Sequence, residues 1–250
     1  MTTENSPPQS LKDHLKHEHN MSLFSGSIKE IVYGGNDGIV TTFAVIAGFT
    51  GAYSSTNTTL NLSMLSVLLF GLANLFADGA AMGLGSFLSL RAEKSVYHDF
   101  KEKERYEIEH NPEMEKAETQ EILQSRGYSR EDAKSRTELL AKNSGYWLSF
   151  MMNDELELPN PEKESAVRNG LMTFLSFSLF GFVPLIPYLV LEEPTISFAW
   201  SCGFAFFALV ILGIVSAHAS GRNRRITILE TVAVGTTAAS VAFVVGLCFR

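Results

Sequence analysis

Two acidic residues lie inside stretches of sequence that are otherwise apolar enough to cross a membrane. Asp37 lies in the run 31–53, and Asp78 lies in the run 60–90. An ionisable side chain in hydrocarbon costs about 2.5–3.5 kcal/mol on insertion scales, so such a residue usually faces a water-filled path and serves a function. Met82 follows Asp78 by one helical turn and brings a thioether to the same helix face. The pattern indicates transport of a cation.

A second group of metal-ligating side chains lies in a charged segment between the apolar runs. Glutamates recur there at a spacing of three residues, as Glu104 with Glu107 and Glu115 with Glu118. At this spacing both carboxylates share one face of a helix, about 5–6 Å apart at Cβ, and like charges so placed repel one another. A cation between them would relieve that repulsion, so the spacing is compatible with a metal-binding surface.

Two methionines extend this second group. Met151 and Met152 are followed by Glu155, which lies one helical turn after Met151. A soft thioether beside hard carboxylates is a poor site for Ca²⁺ or Mg²⁺ but suits a borderline transition metal such as Fe²⁺. A simpler interpretation stays open, because glutamates at this spacing are common on solvated helices and the methionines would serve equally well as core residues.

The first apolar run carries an unusual cluster, Gly34-Gly35-Asn36-Asp37-Gly38. One interpretation is close helix packing, because glycine lets two backbones approach and Asn can form a hydrogen bond to a neighbouring helix. The other is a bent or locally opened helix that exposes carbonyls and a carboxylate to a cavity. The second interpretation accounts for the aspartate, and we expect it here.

The elements that must position these residues are helices that cross a bilayer. A span needs about 20 mostly apolar residues, and five stretches qualify: 31–53, 60–90, 168–190, 196–218 and 226–249. The predicted class is an all-α polytopic membrane protein with five transmembrane helices and a charged helical domain between helices 2 and 3. The predicted parts are a polar cytoplasmic leader (1–25), transmembrane helices 1–2 (26–90), a three-helix domain that carries the candidate metal ligands (91–164) and transmembrane helices 3–5 (165–250).

The charged segment divides into helices at clear stop and start signals. The first helix continues the second span to about His110, and the next covers about 112–126 behind Asn111-Pro112. Ser129 with acidic residues after it predicts a third helix start, and a further helical stretch covers about 145–156.

Lysine and arginine residues set the predicted orientation. They are abundant before the first span, between spans two and three, and after span four, whereas the segments 54–59 and 191–195 contain none. Because basic loops stay in the cytoplasm, this asymmetry predicts a cytoplasmic N-terminus and a C-terminus outside. The net charge of −7 gives no indication of nucleic-acid binding.

Several of these motifs together resemble the vacuolar iron transporter family. They are Asn36-Asp37-Gly38, the run Asp78-Gly79-Ala80-Ala81-Met82-Gly83-Leu84-Gly85, the glutamate-rich helices, Phe150-Met151-Met152-x-x-Glu155 and Val183-Pro184-Leu185-Ile186-Pro187-Tyr188. The likeness runs from about Gly34 to the C-terminus. It implies a homodimer of five-span protomers that exports cytoplasmic Fe²⁺ in exchange for protons.

The resemblance also implies roles for individual residues. Asp37 and Met82 would line a transport path between two protomers. The residues that map onto the family's cytoplasmic metal-binding domain are Glu104, Glu107, Glu115, Glu118, Met151, Met152 and Glu155. The chain departs from some members at Asn74, where they have a glutamate. Because a neutral amide cannot carry a proton, any proton-coupling role either moves to Asp78 or is left unassigned.

The leading functional hypothesis is a divalent metal transporter, for Fe²⁺ first and Mn²⁺ next. It needs no prosthetic group, because the metal is the transported ion. The alternatives are a membrane-anchored metal-binding or sensing protein and a passive cation channel. No nucleophile–base pair or phosphate loop indicates an enzyme. The short loops and the absence of targeting sequence favour a plasma membrane over a vacuolar one, and His14, His17 and His19 belong to the solvated leader.

Overall fold

The computed structural model describes residues 27–53 and 60–248, so the predicted leader with its three histidines lies outside the described residues. Every regular element in this part of the chain is helical, which confirms the all-α prediction. The helices are α1 (Ile28–Tyr53), α2 (Leu60–His110), α3 (Pro112–Ser125), α4 (Arg130–Leu140), α5 (Ser144–Asp154), α6 (Ala166–Phe182), α7 (Ile186–Val190), α8 (Pro194–Ser220) and α9 (Arg224–Cys248), with 3₁₀ turns at Pro161–Lys163 and Val183–Leu185.

The chain divides into two compact units. The inserted unit comprises residues 85–167, and the membrane unit comprises the described residues on either side of it. Helix α2 belongs to both, because its apolar first part lies in the membrane unit and its charged last part in the inserted unit.

Four helical segments of the described chain are long and apolar enough to cross a membrane. They are Met64–His110, Ala166–Val190, Pro194–Ser220 and Arg224–Gly246. Helix α1 has sufficient length at 26 residues, but its glycines, Asn36 and Asp37 lower its mean hydropathy and it is not among the four. A polytopic membrane protein is therefore confirmed, whereas the fifth span stays a prediction.

Helix α1 packs on α6 through its glycines. A Cβ on Gly34 would lie 2.7 Å from the carbonyl oxygen of Thr173, and one on Gly38 would meet the carbonyl oxygen of Phe177. The helix continues without a break through this region, so the expectation of a locally opened helix at Asn36-Asp37 is wrong. The glycines instead allow two helix backbones to touch, which is the packing interpretation.

Helix α2 packs against the same helix in the opposite direction. Gly83 lies against the carbonyl of Gly170, and Gly79 lies against Phe177. Because α1 runs parallel to α6 and α2 runs antiparallel to it, α1 and α2 are antiparallel and share α6 as a neighbour. Phe177 is fully buried with Ile46 of α1 and Leu75 of α2 in one hydrophobic cluster.

The two prolines late in the third span end its helix as expected. Helix α6 stops at Phe182, a 3₁₀ turn covers Val183–Leu185, and α7 follows. Proline lacks an amide hydrogen and leaves carbonyl groups without partners. Ser201 of α8 joins this turn to the next span, because its hydroxyl donates to the carbonyl of Pro184 at 2.7 Å.

In the inserted unit, the helices begin and end close to the predicted residues. Helix α2 ends at His110 and α3 begins with Pro112. Ser129 caps α4, since its hydroxyl oxygen accepts a hydrogen bond from the amide of Asp132. The core of the unit consists of Tyr97, Ile108, Trp147, Leu148, Met151 and Met152.

Candidate metal centre

Three glutamates of the inserted unit converge from three helices. Glu104 lies on α2, Glu115 on α3 and Glu155 at the end of α5, and one carboxylate oxygen of each lies within 4.8 Å of the others. Glu104 and Glu115 are only 4% and 3% exposed, whereas Glu155 is exposed. Buried charges of one sign are costly unless they are protonated or paired with a cation. The arrangement therefore has the donor set and the buried charge of a divalent metal site.

The break between α2 and α3 explains how two of these residues meet. Asn111 occupies the N-cap position of α3 and Pro112 its first turn, where a missing amide hydrogen does no harm. The chain changes direction there, and Glu115 comes back to Glu104. Asn111 and Pro112 predict this turn from the local sequence, but they do not predict the contact between Glu104 and Glu115.

The electrostatics of the centre favour proton or metal binding. Burial raises the pKa of Glu104 to about 8, and a hydrogen bond to Glu115 together with the charges of Glu115, Glu155 and Glu107 acts in the same direction. Burial also raises the pKa of Glu115. Partial desolvation raises the pKa of Glu155, and the charges of Glu118, Glu115 and Glu107 act in the same direction. Oε1 of Glu104 and Oε2 of Glu115 are buried and have no hydrogen-bond partner among the described residues. These oxygens are available to a cation.

The other two predicted glutamates lie beside the centre rather than in it. Glu107 and Glu118 are half-buried, and their charges raise the pKa of Glu115 and Glu155. Glu107 also faces Lys103, with 4.0 Å between the lysine nitrogen and a carboxylate oxygen. The seven predicted ligands thus fall into three sets. Three carboxylates form a tight group, two further carboxylates lie near them, and the two methionines belong to the core of the inserted unit.

Both predicted methionines are fully buried in the core of the inserted unit. The hydroxyl of Thr119 lies 3.3 Å from the sulfur of Met151, and the indole nitrogen of Trp147 donates to the same hydroxyl at 2.8 Å. Sequence reasoning did not select Thr119 or Trp147. The sequence marks these two residues only by their spacing from predicted ligands. Thr119 follows Glu115 by one helical turn, and Trp147 precedes Met151 by one turn.

In the membrane unit, the two predicted acids lie on helices that share one hydrophobic cluster. Asp37 and Asp78 are half-buried on α1 and α2. Thr41 donates a hydrogen bond to the backbone carbonyl of Asp37 at 2.7 Å. A cation or a proton would stabilise carboxylates that lie in apolar surroundings.

The remaining predicted path residues continue the α2 face that carries Asp78. Asn74, Asp78 and Met82 are four residues apart and half-buried, so they share one helix face. Met82 also packs against the hydrophobic cluster around Phe177. The structure therefore supplies a packing role for Met82 beside the predicted transport role.

Glu30 is a buried acid that sequence reasoning missed. It is 8% exposed, and its Oε2 has no hydrogen-bond partner within the described part of the chain. It precedes Asp37 by seven residues, so both lie on one side of α1. The residue lies just before the first apolar run, which is why a search for acids inside such runs passes over it.

Comparison with known proteins gives a consistent result over nearly the whole chain. The VIT family model matches residues 28–247. The vacuolar iron transporter of Toxoplasma gondii is 34% identical over 243 residues, covering 94% of this chain and 77% of that protein. Vacuolar iron transporter 1 of Arabidopsis thaliana is 33% identical over 236 residues, covering 94% of this chain and 90% of that protein. The vacuolar iron transporter of Plasmodium berghei is 31% identical over 244 residues, with 94% and 86% covered.

Proposed function

The chain belongs to the VIT family, and we propose that it carries Fe²⁺ out of the cytoplasm in exchange for protons. It is a multi-pass membrane protein of a metal-transport family and not an enzyme. The observation that supports this function best is the presence of two half-buried acids, Asp37 and Asp78, on helices of the membrane unit that share one hydrophobic cluster. A protein that only bound metal at the inserted unit would have no use for an acidic pair in hydrocarbon.

The residues divide the proposed work according to their chemistry. Asp37 and Met82 bind the metal in the path, and Asp78 exchanges a proton, since the amide of Asn74 takes up none. Two copies of the chain form a homodimer, and the path lies between them. Asp37 and Asp78 keep part of their surface exposed in a single chain, which supports this arrangement.

The inserted unit collects metal on the cytoplasmic side before transport. Its buried pair Glu104–Glu115 and the neighbouring Glu155 supply three carboxylate oxygens, and Glu107 with Glu118 adds negative charge that attracts a cation. Carboxylate oxygens accept Fe²⁺ and Mn²⁺ alike, so Mn²⁺ is the second proposed substrate. The names of the relatives give no support to a plasma membrane and favour a vacuolar one.

Transport by the full-length protein in liposomes tests the proposal. Vesicles with an acidic interior receive Fe²⁺ on the outside under anaerobic conditions, and a trapped chelating dye reports uptake. We expect uptake that rises with the pH gradient and is lost in Asp37→Asn. Asp99→Asn is the matched control, because this aspartate lies on α2 but is exposed in the inserted unit, and it should transport normally.

The same experiment separates the two alternatives. A passive channel would carry Fe²⁺ equally well with and without a pH gradient. A sensing protein would bind metal at the inserted unit but show no uptake under any gradient. Undiminished uptake by Asp37→Asn would contradict the proposed path, and an unchanged pH dependence in Asp78→Asn would contradict the proton role of that residue.

A further inference from the structure

The side chains of Thr119, Trp147 and Met151 form a buried chain of polar contacts within the core of the inserted unit. The indole N–H of Trp147 donates to Oγ1 of Thr119 at 2.8 Å. The same oxygen lies 3.3 Å from Sδ of Met151 and 2.7 Å from the backbone carbonyl oxygen of Glu115. Thr119 and Met151 are completely buried, and Trp147 is 2% exposed.

This contact involves residues one helical turn away in sequence from two of the three carboxylates. Thr119 follows Glu115 by four residues on α3, and Met151 precedes Glu155 by four residues on α5. Residues four apart on a helix are neighbours on one face, about 5–6 Å apart at Cβ. The Thr119–Met151 contact is therefore one helical turn from Glu115 along α3 and one turn from Glu155, the C-cap residue of α5.

A threonine hydroxyl has one hydrogen to donate and can accept two. The indole N–H of Trp147 occupies one acceptor position, and the hydrogen then points to the Glu115 carbonyl or to the Met151 sulfur. When a metal binds to the sulfur, the hydrogen can turn to the carbonyl without leaving a buried group unsatisfied. Methionine is otherwise flexible and polarisable, so a fixed hydroxyl beside the sulfur restricts where the thioether points.

We propose that Thr119, held by Trp147, is a positioning residue that keeps the Met151 thioether directed at the carboxylate cluster. The cluster alone is a hard oxygen site suited to Mn²⁺, whereas an added thioether favours softer ions. Thr119 thereby determines how strongly the site prefers ions such as Fe²⁺ and Zn²⁺ to Mn²⁺. The inference rests on the metal-collecting role proposed for the inserted unit.

The test compares the binding of Zn²⁺ and Mn²⁺ to the full-length protein in detergent. Both ions are stable in air, and their affinities are measured by competition with a chelator. Loss of an outer-shell partner typically lowers metal affinity by about 10–100-fold, so Thr119→Val should weaken Zn²⁺ binding by about tenfold or more while Mn²⁺ binding changes by less than about threefold. Thr119→Ser keeps the hydroxyl and should keep the preference.

Thr137→Val is the matched control. Thr137 is also a completely buried threonine of the inserted unit, but its hydroxyl donates only to the carbonyl of Ala133. It should leave the Zn²⁺ to Mn²⁺ ratio unchanged. Thr119→Val also strands the indole N–H of Trp147, which costs about 1–3 kcal/mol, so the double variant Thr119→Val with Trp147→Phe removes both partners and should show the same altered ratio.

Each result bears on a separate statement. A wild-type protein that binds neither ion would contradict the metal-collecting role, and this inference would fail with it. Wild-type binding with an unchanged ratio in both Thr119→Val and the double variant would overturn the positioning role alone. A ratio lost equally in Thr119→Ser would assign the effect to packing rather than to the hydroxyl, and would also overturn it.

Discussion

Glu104 and Glu115 lie on two different helices and bury carboxylate oxygens within 4.8 Å of each other. Each keeps one buried oxygen without a hydrogen-bond partner among the described residues. Such a pair cannot hold two charges in isolation, because desolvation and mutual repulsion both oppose ionisation. The pair must share a proton or bind a cation, and its stability therefore depends on pH and on metal.

The first prediction concerns the stability of the inserted unit without metal. Burial raises the pKa of Glu104 from its ordinary value of 4.5 to about 8. Between these values the folded protein retains a proton that the unfolded chain has released, so the free energy of unfolding falls as the pH rises and levels off above the folded pKa. Thermal melting of the full-length protein across this window should show the decline, and Glu104→Gln should flatten it. A stability that increases with pH in this window would contradict the buried, protonated state of Glu104.

The second prediction concerns metal affinity at neutral pH. Glu115→Gln removes one charged ligand and should weaken Mn²⁺ binding by at least about tenfold, the lower end of the effect of removing even an outer-shell partner. Glu113→Gln is the matched control on the same helix, since its side chain is 85% exposed and pairs with Lys116. A titration of free Mn²⁺ by electron paramagnetic resonance measures both variants. Equal losses in the two would mean that general negative charge, and not the buried site, holds the metal.

The third prediction concerns the capping of α4. Ser129 accepts a hydrogen bond from the amide of Asp132 at 3.1 Å, and replacing such a cap with alanine typically costs about 1 kcal/mol. Ser129→Ala should therefore speed amide hydrogen exchange in the first turn of α4 while α3 stays unchanged. Ser149→Ala is a suitable control, because that hydroxyl donates to the carbonyl of Gly145 within a helix and caps nothing.

The local signals in the sequence predicted most of the helices correctly. Pro112 and Ser129 mark observed helix starts, and Pro184 marks an observed helix end, because these residues act through their own backbone and nearest neighbours. The prediction of a locally opened helix at the glycine cluster around Asp37 is wrong. Whether glycine opens a helix or brings two helices together depends on the neighbouring helix, and the α1 sequence contains no information about α6.

In the candidate site too, the local sequence predicts some features, whereas others depend on how the helices pack. Residue type and spacing predict the candidate ligands. Spacing along a helix does not show that Glu104 and Glu115 meet while Glu107 and Glu118 lie beside them. That distinction depends on how α2, α3 and α5 pack. Thr119 and Glu30 escaped detection for a related reason, since a threonine in a polar helix and a glutamate at a helix start are both ordinary until their burial is known.

The last prediction concerns the direct backbone contact between α1 and α6. A Cβ on Gly38 would meet the carbonyl of Phe177, and one on Gly181 would lie 2.7 Å from the carbonyl oxygen of Gly38. Gly38→Ala must therefore push the helices apart, and overpacking of this kind costs about 1–3 kcal/mol. Gly203→Ala in α8 meets nothing within 4 Å, and should be neutral or stabilising by up to about 1 kcal/mol, because alanine favours a helix more than glycine does. Melting temperatures in detergent compare the two variants.

Because Gly38 adjoins Asp37, the displaced helix also alters the distance from Asp37 to Asp78, so Gly38→Ala should reduce Fe²⁺ uptake even in the fraction that remains folded. A Gly38→Ala protein with wild-type melting and wild-type uptake would show that α1 and α6 do not pack backbone to backbone.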